Sequence, residues 1–522
     1  MSEAEFLRRL GFDSNPFQYT DADLEVRLPD YFVAPPYFPS VFGDPDHPTS
    51  AIVFAPRGSG KSAQRRMVEL QCPPESVLCI TYDTFAELSP EKAAPNEHLR
   101  KIARLTLIGV LTQITNRPGG ADCLTDDEKK IVQLLANHYL DTLGQREFAE
   151  ALDALKNLPE KAKEFWRENF WLVNSVAGFA LTKLGIPLQQ PRLGDTVGNA
   201  LDPSPTLHLA LLGKIAAAAG LRSVYVLIDK VDETPATTNN PEAAYALISP
   251  LARDLRTLST APYGFKFFLP DTLGPFHRAY GRPDRIPQFE LKWNWEDLRE
   301  ILLRRLSAHS GGAVTSDYEL VDPESGGAPA ATPEQLRHLL EDWIYKFAHG
   351  SPRDLIRIWQ HIVAEQLRAD PNAARVSIDA IFTGLDQFCA ERTLEIVPPK
   401  IWSELQRVGR LDFTTNFVAN DVFKIEANSA RNKIRAWTDT GVVVRQADRQ
   451  MKGARRPVYH YAIEDLRVAR TLMSEYDAFN FWMTKVYECD ACPTVVIRDW
   501  DRESSHVCRG CGSQIDYEPD EP

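Results

Sequence analysis

The chain has 522 residues, of which 43% are hydrophobic, with a formal net charge of −13 and a pI near 5.5. This length allows more than one hydrophobic core and predicts about three or four domains. The acidic balance argues against a chain coated in nucleic-acid-binding charge but is compatible with a local basic patch. The N-terminal residues lack the apolar core of a signal peptide, and no apolar stretch has membrane-spanning length. We therefore expect a cytoplasmic protein with no membrane partner.

The run 51–62 is a short apolar strand followed by a glycine-rich turn that ends in Gly-Lys-Ser. Glycines in such a turn permit close approach of the backbone to a phosphate, the lysine supplies a charge and the serine a hydroxyl for Mg²⁺. The spacing matches the P-loop pattern, except that its first glycine is Ala55, a position that mainly requires a small residue. We predict a site for ATP and Mg²⁺. The residues that would bind the nucleotide are Gly58, Ser59, Gly60, Lys61 and Ser62.

Four further apolar runs have the length and composition of buried parallel strands. They are Ser76–Tyr82, Val224–Ile228, Phe265–Leu269 and Ile286–Leu291. Between about 95 and 220, hydrophobic residues recur at helical spacing, which predicts a helical insertion. The fold class predicted from these patterns is α/β, with a P-loop NTPase parallel sheet.

The apolar run Val224–Ile228 is followed by Asp229, and Lys230, Asp232 and Glu233 come shortly after it. A carboxylate at the carboxyl end of a buried strand can hold the Mg²⁺ that Ser62 also contacts. We therefore predict Asp229 as a Mg²⁺ ligand and Asp232 or Glu233 as the residue that orients the attacking water. Lys230 stands where many ATPases have that glutamate, so slow hydrolysis and a switch that mostly binds nucleotide both stay open.

Polar and basic residues follow the fourth run. Asp271 and Thr272 stand where a γ-phosphate sensor would lie. Arg278, Arg282 and Arg285 precede the fifth run, and an arginine there can reach the nucleotide of a neighbouring subunit. Exposed arginine is common, so for each of them a surface charge is the simpler explanation. A homo-oligomer with an arginine finger is one of these two alternatives.

Residues 291–370 are predicted to form a helical lid. Its closing helix begins at Gly350-Ser-Pro-Arg, where Ser351 suits the N-cap and Pro352 suits the first helical position. A cation in the first turn opposes the helix dipole by about 0.3–1 kcal/mol, so Arg353 is better explained if it faces an anion.

Residues 371–475 are predicted to form a winged helix, with a third helix over Ser429–Thr440 capped by Asn428 and a β-hairpin after it. Residues 431–456 contain eight basic and two acidic side chains, a local net charge of +6. This segregation on an acidic chain favours DNA as a partner. The alternative is that the winged helix binds a protein or the ATPase core. The DNA-contact candidates are Arg431, Lys433, Arg435, Arg449, Lys452, Arg455 and Arg456.

The tail, residues 476–522, contains two C-x2-C pairs separated by fifteen residues. Two such turns supply four thiolates to a closed structural Zn²⁺ site, with disulfides as the alternative. The predicted zinc ligands are Cys489, Cys492, Cys508 and Cys511. The other cysteines are expected to be buried small hydrophobes in a reducing compartment. They are Cys72, Cys79, Cys123 and Cys389.

The order of these parts resembles the AAA+ ATPases, specifically the bacterial ATPases related to origin-recognition and STAND proteins. The resemblance spans about residues 10–370. It is carried by Asn15-Pro16-Phe17, the P-loop, Leu227–Glu233, Leu291-Lys-Trp293 and Gly350–Arg353. It implies a five-stranded parallel core and a helical lid whose Arg353 touches the γ-phosphate.

This resemblance leads us to expect an ATP-driven molecular switch on or near DNA, in regulation or genome defence, with a separate effector protein as partner. Its catalytic residues would be Lys61, Asp229, Asp232, Glu233 and Arg353. The contrasting hypothesis is a non-hydrolysing scaffold that recruits the effector. The predicted domains are an N-terminal linker (1–50), the ATPase core (51–290), the lid (291–370), the winged helix (371–475) and the zinc ribbon (476–522).

Overall fold

A computed structural model describes residues 2–516, except for 86–87, 89, 91–93, 118, 141–142, 170–177, 179–180, 183, 187–203, 326–339, 447–458, 477, 490, 493, 498–504 and 509–510. Contacts divide the chain into two compact units. The sheet unit comprises Tyr19–Arg304 and Gly350–Arg353. The C-terminal unit comprises Met1–Gln18, Arg305–His349 and Asp354–Pro522.

The secondary structure alternates between strands and helices in the first half and is mainly helical in the second. The strands are β1 (Ala51–Ala55), β2 (Val77–Tyr82), β3 (Ser223–Ile228), β4 (Tyr263–Pro270), β5 (Gln288–Glu290), β6 (Asp412–Thr414), β7 (Val443–Arg445), β8 (His460–Ile463), β9 (Val486–Glu488), β10 (Val495–Ile497), β11 (Ser505–Val507) and β12 (Gln514–Asp516). The α-helices are α1 (Glu3–Arg9), α2 (Leu28–Tyr31), α3 (Phe38–Phe42), α4 (Lys61–Gln71), α5 (Pro95–Asn116), α6 (Asp126–Leu140), α7 (Gln145–Asp153), α8 (Glu160–Asn169), α9 (Pro205–Ala218), α10 (Pro241–Ala252), α11 (Leu255–Leu258), α12 (Gly274–Tyr280), α13 (Trp295–His309), α14 (Lys346–Ala348), α15 (Pro352–Ala369), α16 (Ile378–Ile396), α17 (Pro399–Val408), α18 (Ala427–Asp439), α19 (Leu466–Leu472) and α20 (Ala478–Lys485).

The core of the sheet unit is a five-stranded parallel sheet in the order β2-β3-β4-β1-β5. This confirms the predicted α/β fold class, and each strand coincides with one of the five apolar runs. Every residue of β1 to β4 is buried, as expected of parallel strands covered on both faces. Because all five strands run the same way, the residues that follow them share one edge of the sheet.

The register brings the ends of three strands together. Ala55 at the end of β1 pairs with Pro270 at the end of β4, and Ile228 at the end of β3 pairs with Phe267. The P-loop begins directly after β1. Asp229 directly follows β3, and Asp271 directly follows β4. The fold thus places three sequence-predicted segments on one sheet edge.

The segment predicted to form a winged helix lies in the C-terminal unit and contains helices and a three-stranded sheet. Helix α17, strand β6, a π-helix over Phe417–Phe423, helix α18 and strands β7 and β8 follow one another, and the strands form an antiparallel sheet in the order β6-β8-β7. The hairpin tip between β7 and β8 falls in 447–458. Four DNA candidates therefore lie outside the described residues. They are Arg449, Lys452, Arg455 and Arg456.

Helix α18 begins at Ala427, two residues before the predicted start, and its N-cap is Glu426 rather than Asn428. The preceding π-helix ends at Lys424 with a left-handed φ of 53°, so the chain has already turned when it reaches α18. The Asn428 side chain instead accepts a hydrogen bond from Arg431 Nη1 at 2.7 Å. The capping prediction was wrong because the turn before the helix was not recognised.

One cysteine prediction is corrected by the structure. Cys72, Cys79 and Cys389 are buried, as expected, but Cys123 is exposed. Cys123 ends a short 3-10 helix that starts at Gly120, and its Sγ lies 3.4 Å from the Gly120 carbonyl oxygen. Among the described residues, no helix is both long and apolar enough to cross a membrane.

Candidate functional site

The P-loop connects β1 to α4. Gly58 and Gly60 have φ angles of 83° and 99°, a region that side-chain-bearing residues rarely adopt. Ser59 is buried, and its hydroxyl donates to the Pro56 carbonyl at 2.6 Å. Trp293 Nε1 donates to the Ser59 carbonyl at 2.7 Å. These contacts fix a tight loop that leads directly into the N-terminus of an eleven-residue helix, the geometry that suits an anion.

Lys61 interacts with several groups at the carboxyl ends of the strands. Its Nζ donates to the carbonyl oxygens of Ala55 and Pro56 at 2.9 and 3.1 Å. Desolvation lowers the pKa of Lys61, and the carboxylates of Asp232, Asp229 and Asp271 oppose that shift. Carboxylates from the segments that follow β3 and β4 thus act electrostatically on Lys61.

Asp229 follows β3 and is 1% exposed. Its Oδ1 accepts from the Lys230 backbone N–H at 2.9 Å, and its Oδ2 accepts from Arg65 Nε at 3.1 Å. Two carboxylate oxygens offer about four lone-pair positions, so capacity for a cation ligand remains. With the hydroxyl of Ser62 on the first turn of α4, these oxygen donors are of the type that Mg²⁺ prefers.

Asp229 belongs to a buried cluster of charged side chains. Arg65 on α4 is fully buried and donates to three carboxylates, those of Asp229, Glu69 and Asp23. Glu69 also accepts from the hydroxyl of Thr81 at 2.5 Å. Although desolvation acts in the opposite direction, these carboxylates raise the pKa of Arg65, so it stays charged. Removing one partner of such a buried pair leaves an uncompensated charge.

Lys230 occupies the place of the expected glutamate in a left-handed conformation, with φ of 58°. Its Nζ lies 3.1 Å from Asp23 Oδ2 and 3.9 Å from Asp83 Oδ2. Desolvation opposes the shift, but Asp23 raises the pKa of Lys230. Asp23 therefore pairs with both Arg65, which contacts Asp229, and Lys230, which follows Asp229 in sequence.

The candidate bases lie just beyond this cluster. Asp232 is partly buried and Glu233 is exposed. Desolvation and the neighbouring carboxylate of Asp232 raise the pKa of Glu233. A carboxylate with a raised pKa is a better proton acceptor when ionised, so Glu233 has the chemistry of a general base.

Arg353 belongs to the sheet unit through the short segment Gly350–Arg353. Its backbone N–H donates to the Gly58 carbonyl at 3.2 Å. A Cβ atom at Gly58 would lie 2.6 Å from Ser351 Oγ and 3.3 Å from Arg353 Cβ, so only glycine fits there. Arg353 is exposed, and it is among the charges that act on Lys61. The sequence-predicted sensor thus lies beside the P-loop.

The three arginine-finger candidates lie between β4 and β5 and are exposed. Arg278 pairs with Glu290 at 3.2 Å, while Arg282 and Arg285 both pair with Asp284 at 3.2 and 3.4 Å. These are ordinary surface ion pairs, which solvent screens and which contribute little to stability. Both alternatives given for these arginines stay open.

A second candidate site lies in the C-terminal unit, where two hairpins carry the cysteine pairs. Strands β9 and β10 flank Cys489 and Cys492, and β11 and β12 flank Cys508 and Cys511. All four Sγ atoms lie within 4.8 Å of one another. The Cys489–Cys511 and Cys492–Cys508 Sγ distances are 3.6 and 3.5 Å. A tetrahedral Zn²⁺ with Zn–S bonds of about 2.3 Å requires S–S distances of about 3.8 Å, so these residues fit the ion.

The described DNA candidates lie on α18. Arg431 and Arg435 are exposed, whereas Lys433 is half-buried, pairs with Glu404 and lies 4.9 Å from the centre of the Phe423 ring. Two of the three are thus available to a phosphate, and the third has a structural partner.

Sequence reasoning missed Asp23, Arg65 and Glu69. Arg65 and Glu69 are spaced i,i+4, which ordinarily indicates an exposed helix pair, but they lie on the same buried face of α4 as Met67 and Val68. Charged residues at core positions of this helix were therefore the sequence signal that could have identified Arg65 and Glu69. Asp23 lies 42 residues from Arg65, and nothing in the sequence connects them.

No protein-family model and no curated protein matches this chain. Similar solved structures include the Aeropyrum pernix ORC1 protein in complex with DNA, at 11% identity and a TM-score of 0.37, covering 89% of this chain and 98% of that one. The Aeropyrum pernix ORC2 protein in its ADPNP–ADP complexes has 12% identity and a TM-score of 0.38, with coverage of 89% and 99%. Drosophila ORC bound to DNA has 11% identity and a TM-score of 0.27, with coverage of 84% and 93%. All three have low sequence identity, and none has a TM-score above 0.38.

Proposed function

We propose that this protein is an AAA+/STAND-like molecular switch that binds and hydrolyses ATP and acts on or near DNA. The observation that carries the proposal is that the P-loop, Asp229 and Asp271 follow the carboxyl ends of three paired parallel strands, and that the Arg353 backbone N–H donates to the P-loop carbonyl of Gly58. Four separate segments of the chain contribute to this one place. A simple glycine-rich turn would not need this arrangement of charges.

Each residue has a distinct task in this proposal. Lys61 exchanges its two carbonyl partners for the β- and γ-phosphates, and the backbone N–H groups at the start of α4 bind the remaining oxygens. Mg²⁺, held by Ser62 and Asp229, would neutralise the charge that develops on the phosphates. Glu233 or Asp232 orients the attacking water, and Arg353 contacts the γ-phosphate.

The alternative function is a non-hydrolysing scaffold that recruits a separate effector. Lys230 is the observation that favours it, since a cation paired with Asp23 stands where a catalytic glutamate would orient the water. Binding and hydrolysis use different residues, so the two functions differ in turnover and agree in affinity. A role in regulation or genome defence, a homo-oligomer and an effector partner remain expectations from the sequence.

DNA association is supported by the exposed arginines of α18 within a winged-helix order of elements. In such folds, a helix of this kind lies in the major groove and its basic residues contact phosphates. The competing proposal is that the same surface binds a protein.

Nucleotide binding and turnover, measured with and without duplex DNA, test these proposals. We expect ATP·Mg²⁺ to stabilise the protein by about 2.7 kcal/mol at a hundredfold excess over the dissociation constant. Lys61→Ala should abolish the stabilisation, and Lys292→Ala, at an exposed lysine of the same unit, should not. An unchanged thermal shift in Lys61→Ala would remove the basis for the site. Binding without turnover would favour the scaffold.

A further inference from the structure

Arg65 connects the predicted Mg²⁺ ligand Asp229 to two other carboxylates. Its side chain is fully buried, and its Nε donates to Asp229 Oδ2 at 3.1 Å. The two terminal nitrogens of the same guanidinium donate to Glu69 and to Asp23. Each nitrogen thus has a carboxylate of its own, so the rigid plane of the guanidinium is fixed at three points. All four residues belong to the sheet unit.

Glu69 is anchored to the sheet independently of Arg65. Its side chain is almost fully buried and accepts from the Thr81 hydroxyl at 2.5 Å. Thr81 lies on β2, the strand that pairs with β3, and β3 ends directly before Asp229. Because Arg65 Nη1 donates to Glu69, the guanidinium is fixed relative to the strand that precedes the Mg²⁺ ligand.

Asp23 pairs with both residues that donate to the Asp229 carboxylate. Its Oδ1 accepts from Arg65 Nη2, and its Oδ2 lies 3.1 Å from Lys230 Nζ. The Lys230 backbone N–H in turn donates to Asp229 Oδ1 at 2.9 Å. Although desolvation acts in the opposite direction, Arg65 lowers the pKa of Asp23, so the charged form that makes these pairs is favoured. The two oxygens of Asp229 are therefore held from a common point.

We propose that Arg65 is a positioning residue for the Mg²⁺ site. It fixes the Asp229 carboxylate in one orientation and leaves the remaining lone pairs of that carboxylate to the ion. This inference rests on the proposed ATP-binding function and extends it to a fully buried residue that acts on the ion only through Asp229. Loss of a hydrogen-bond partner of a ligating carboxylate lowers metal affinity by about 10–100-fold. The contacts of the P-loop and Lys61 with phosphates do not depend on Asp229, so the effect of Arg65 is confined to Mg²⁺.

Two affinities measured on the full chain test the proposal, that of Mg²⁺ for the protein–ATP complex and that of ATP in EDTA. The test variant is Arg65→Gln/Glu69→Gln, which removes one cation and one anion and leaves the net charge of the cluster unchanged. Its Mg²⁺ affinity should fall by about tenfold or more, because Asp229 loses its guanidinium partner. Its ATP affinity in EDTA should match that of wild type.

Arg66→Gln/Glu69→Gln is the matched control. Arg66 is the next residue of α4, and its Nη1 donates to the same Glu69 at 3.0 Å. The control therefore removes the same number of charges but keeps the Arg65 donor to Asp229, and it should bind Mg²⁺ like wild type. If the test variant fails to fold, Arg65→Lys replaces it. A lysine keeps the buried charge but has one nitrogen in place of three, so Mg²⁺ should still bind more weakly than in the control.

The outcomes separate this inference from the proposed function. Equal Mg²⁺ affinities in the test and control variants would refute the positioning role and leave the ATP site standing. A loss of ATP affinity in EDTA as large as the loss of Mg²⁺ affinity would also refute it, because it indicates general destabilisation. Unchanged Mg²⁺ affinity in Asp229→Asn would remove the ligand on which the inference depends. Wild-type protein that binds no ATP, with or without Mg²⁺, would overturn the proposed function as well.

Discussion

At the scale of single residues, Asp229 is tightly constrained within the candidate nucleotide site. Arg65 and the backbone of Lys230 each occupy one of its oxygens, and the side chain is almost fully buried. The carboxylate is therefore held in one orientation before any ligand binds. Preorganisation of this kind reduces the cost of ordering the site at the moment of binding.

Substitution of the three acids should separate binding from hydrolysis. Asp229→Asn removes a charge next to the predicted Mg²⁺ position and should weaken Mg²⁺-dependent ATP binding. Asp232→Asn or Glu233→Gln should leave binding intact, and at least one of the two should stop turnover by removing the base. Binding titrations with and without EDTA, together with phosphate release, distinguish the two classes. Wild-type hydrolysis in all three variants would contradict the assignment of every one of these acids.

At the scale of secondary-structure elements, the seven-residue helix α19 is stabilised at its N-terminus. Its N-cap is Asp465, which accepts from the backbone N–H groups of Arg467 and Val468 and from the Arg467 side chain. Although desolvation acts in the opposite direction, the hydrogen bonds from Arg467 lower the pKa of Asp465 to about 2. The charged form of Asp465 is therefore favoured in the folded protein.

This low pKa predicts an acid-sensitive contribution to stability. An unfolded aspartate has a pKa of about 3.9, so the depressed folded value contributes about 2–3 kcal/mol above that pH, and about half is lost by pH 3. Asp465→Asn should therefore lower the free energy of unfolding at pH 6 and narrow its difference from wild type at pH 3. Urea unfolding at both values measures this. The exposed Asp379→Asn is the control, and a difference that does not narrow at pH 3 would rule out the contribution.

Helix α18 makes a different prediction, which concerns its exposed face. Arg431→Ala and Arg435→Ala should each weaken DNA binding regardless of sequence and reduce the slope of log K against log salt by about 0.9. Lys433→Ala should have a smaller effect, because that side chain is paired with Glu404. Binding to a fluorescent duplex over a series of salt concentrations provides the slopes. Identical slopes in all variants would favour a protein partner for this surface.

The elements that were predictable from the sequence are those with a local cause. Strand β1 and the P-loop follow from an apolar run and two glycines in positions that need positive φ. The four-cysteine cluster follows from two regularly spaced pairs. By contrast, the Asp23–Arg65 and Asp354–Arg467 pairs join residues 42 and 113 positions apart. No local pattern encodes such pairs, because only tertiary packing brings these charges together.

At the scale of the whole molecule, the two units contain different kinds of candidate site. The sheet unit holds the nucleotide residues, and the cysteine cluster lies in the C-terminal unit. The cysteine ligands come from two short hairpins, which offer little apolar area to bury. A metal ion would therefore contribute a large share of the folding free energy of this tail.

Metal analysis should accordingly find about one zinc per chain, bound through four thiolates that leave no open coordination position for catalysis. The Cys489→Ser/Cys492→Ser variant should lose the metal, because two remaining thiolates cannot complete the tetrahedral site. The matched control is Cys123→Ser, which removes an exposed thiol outside the cluster and should retain zinc. ATP binding should survive in both variants, since every predicted nucleotide residue lies in the sheet unit. Absence of zinc from protein purified without chelator, or a Cys489–Cys492 disulfide in cell extract, would refute the metal site, and loss of ATP binding with the metal would show that the tail supports the nucleotide site.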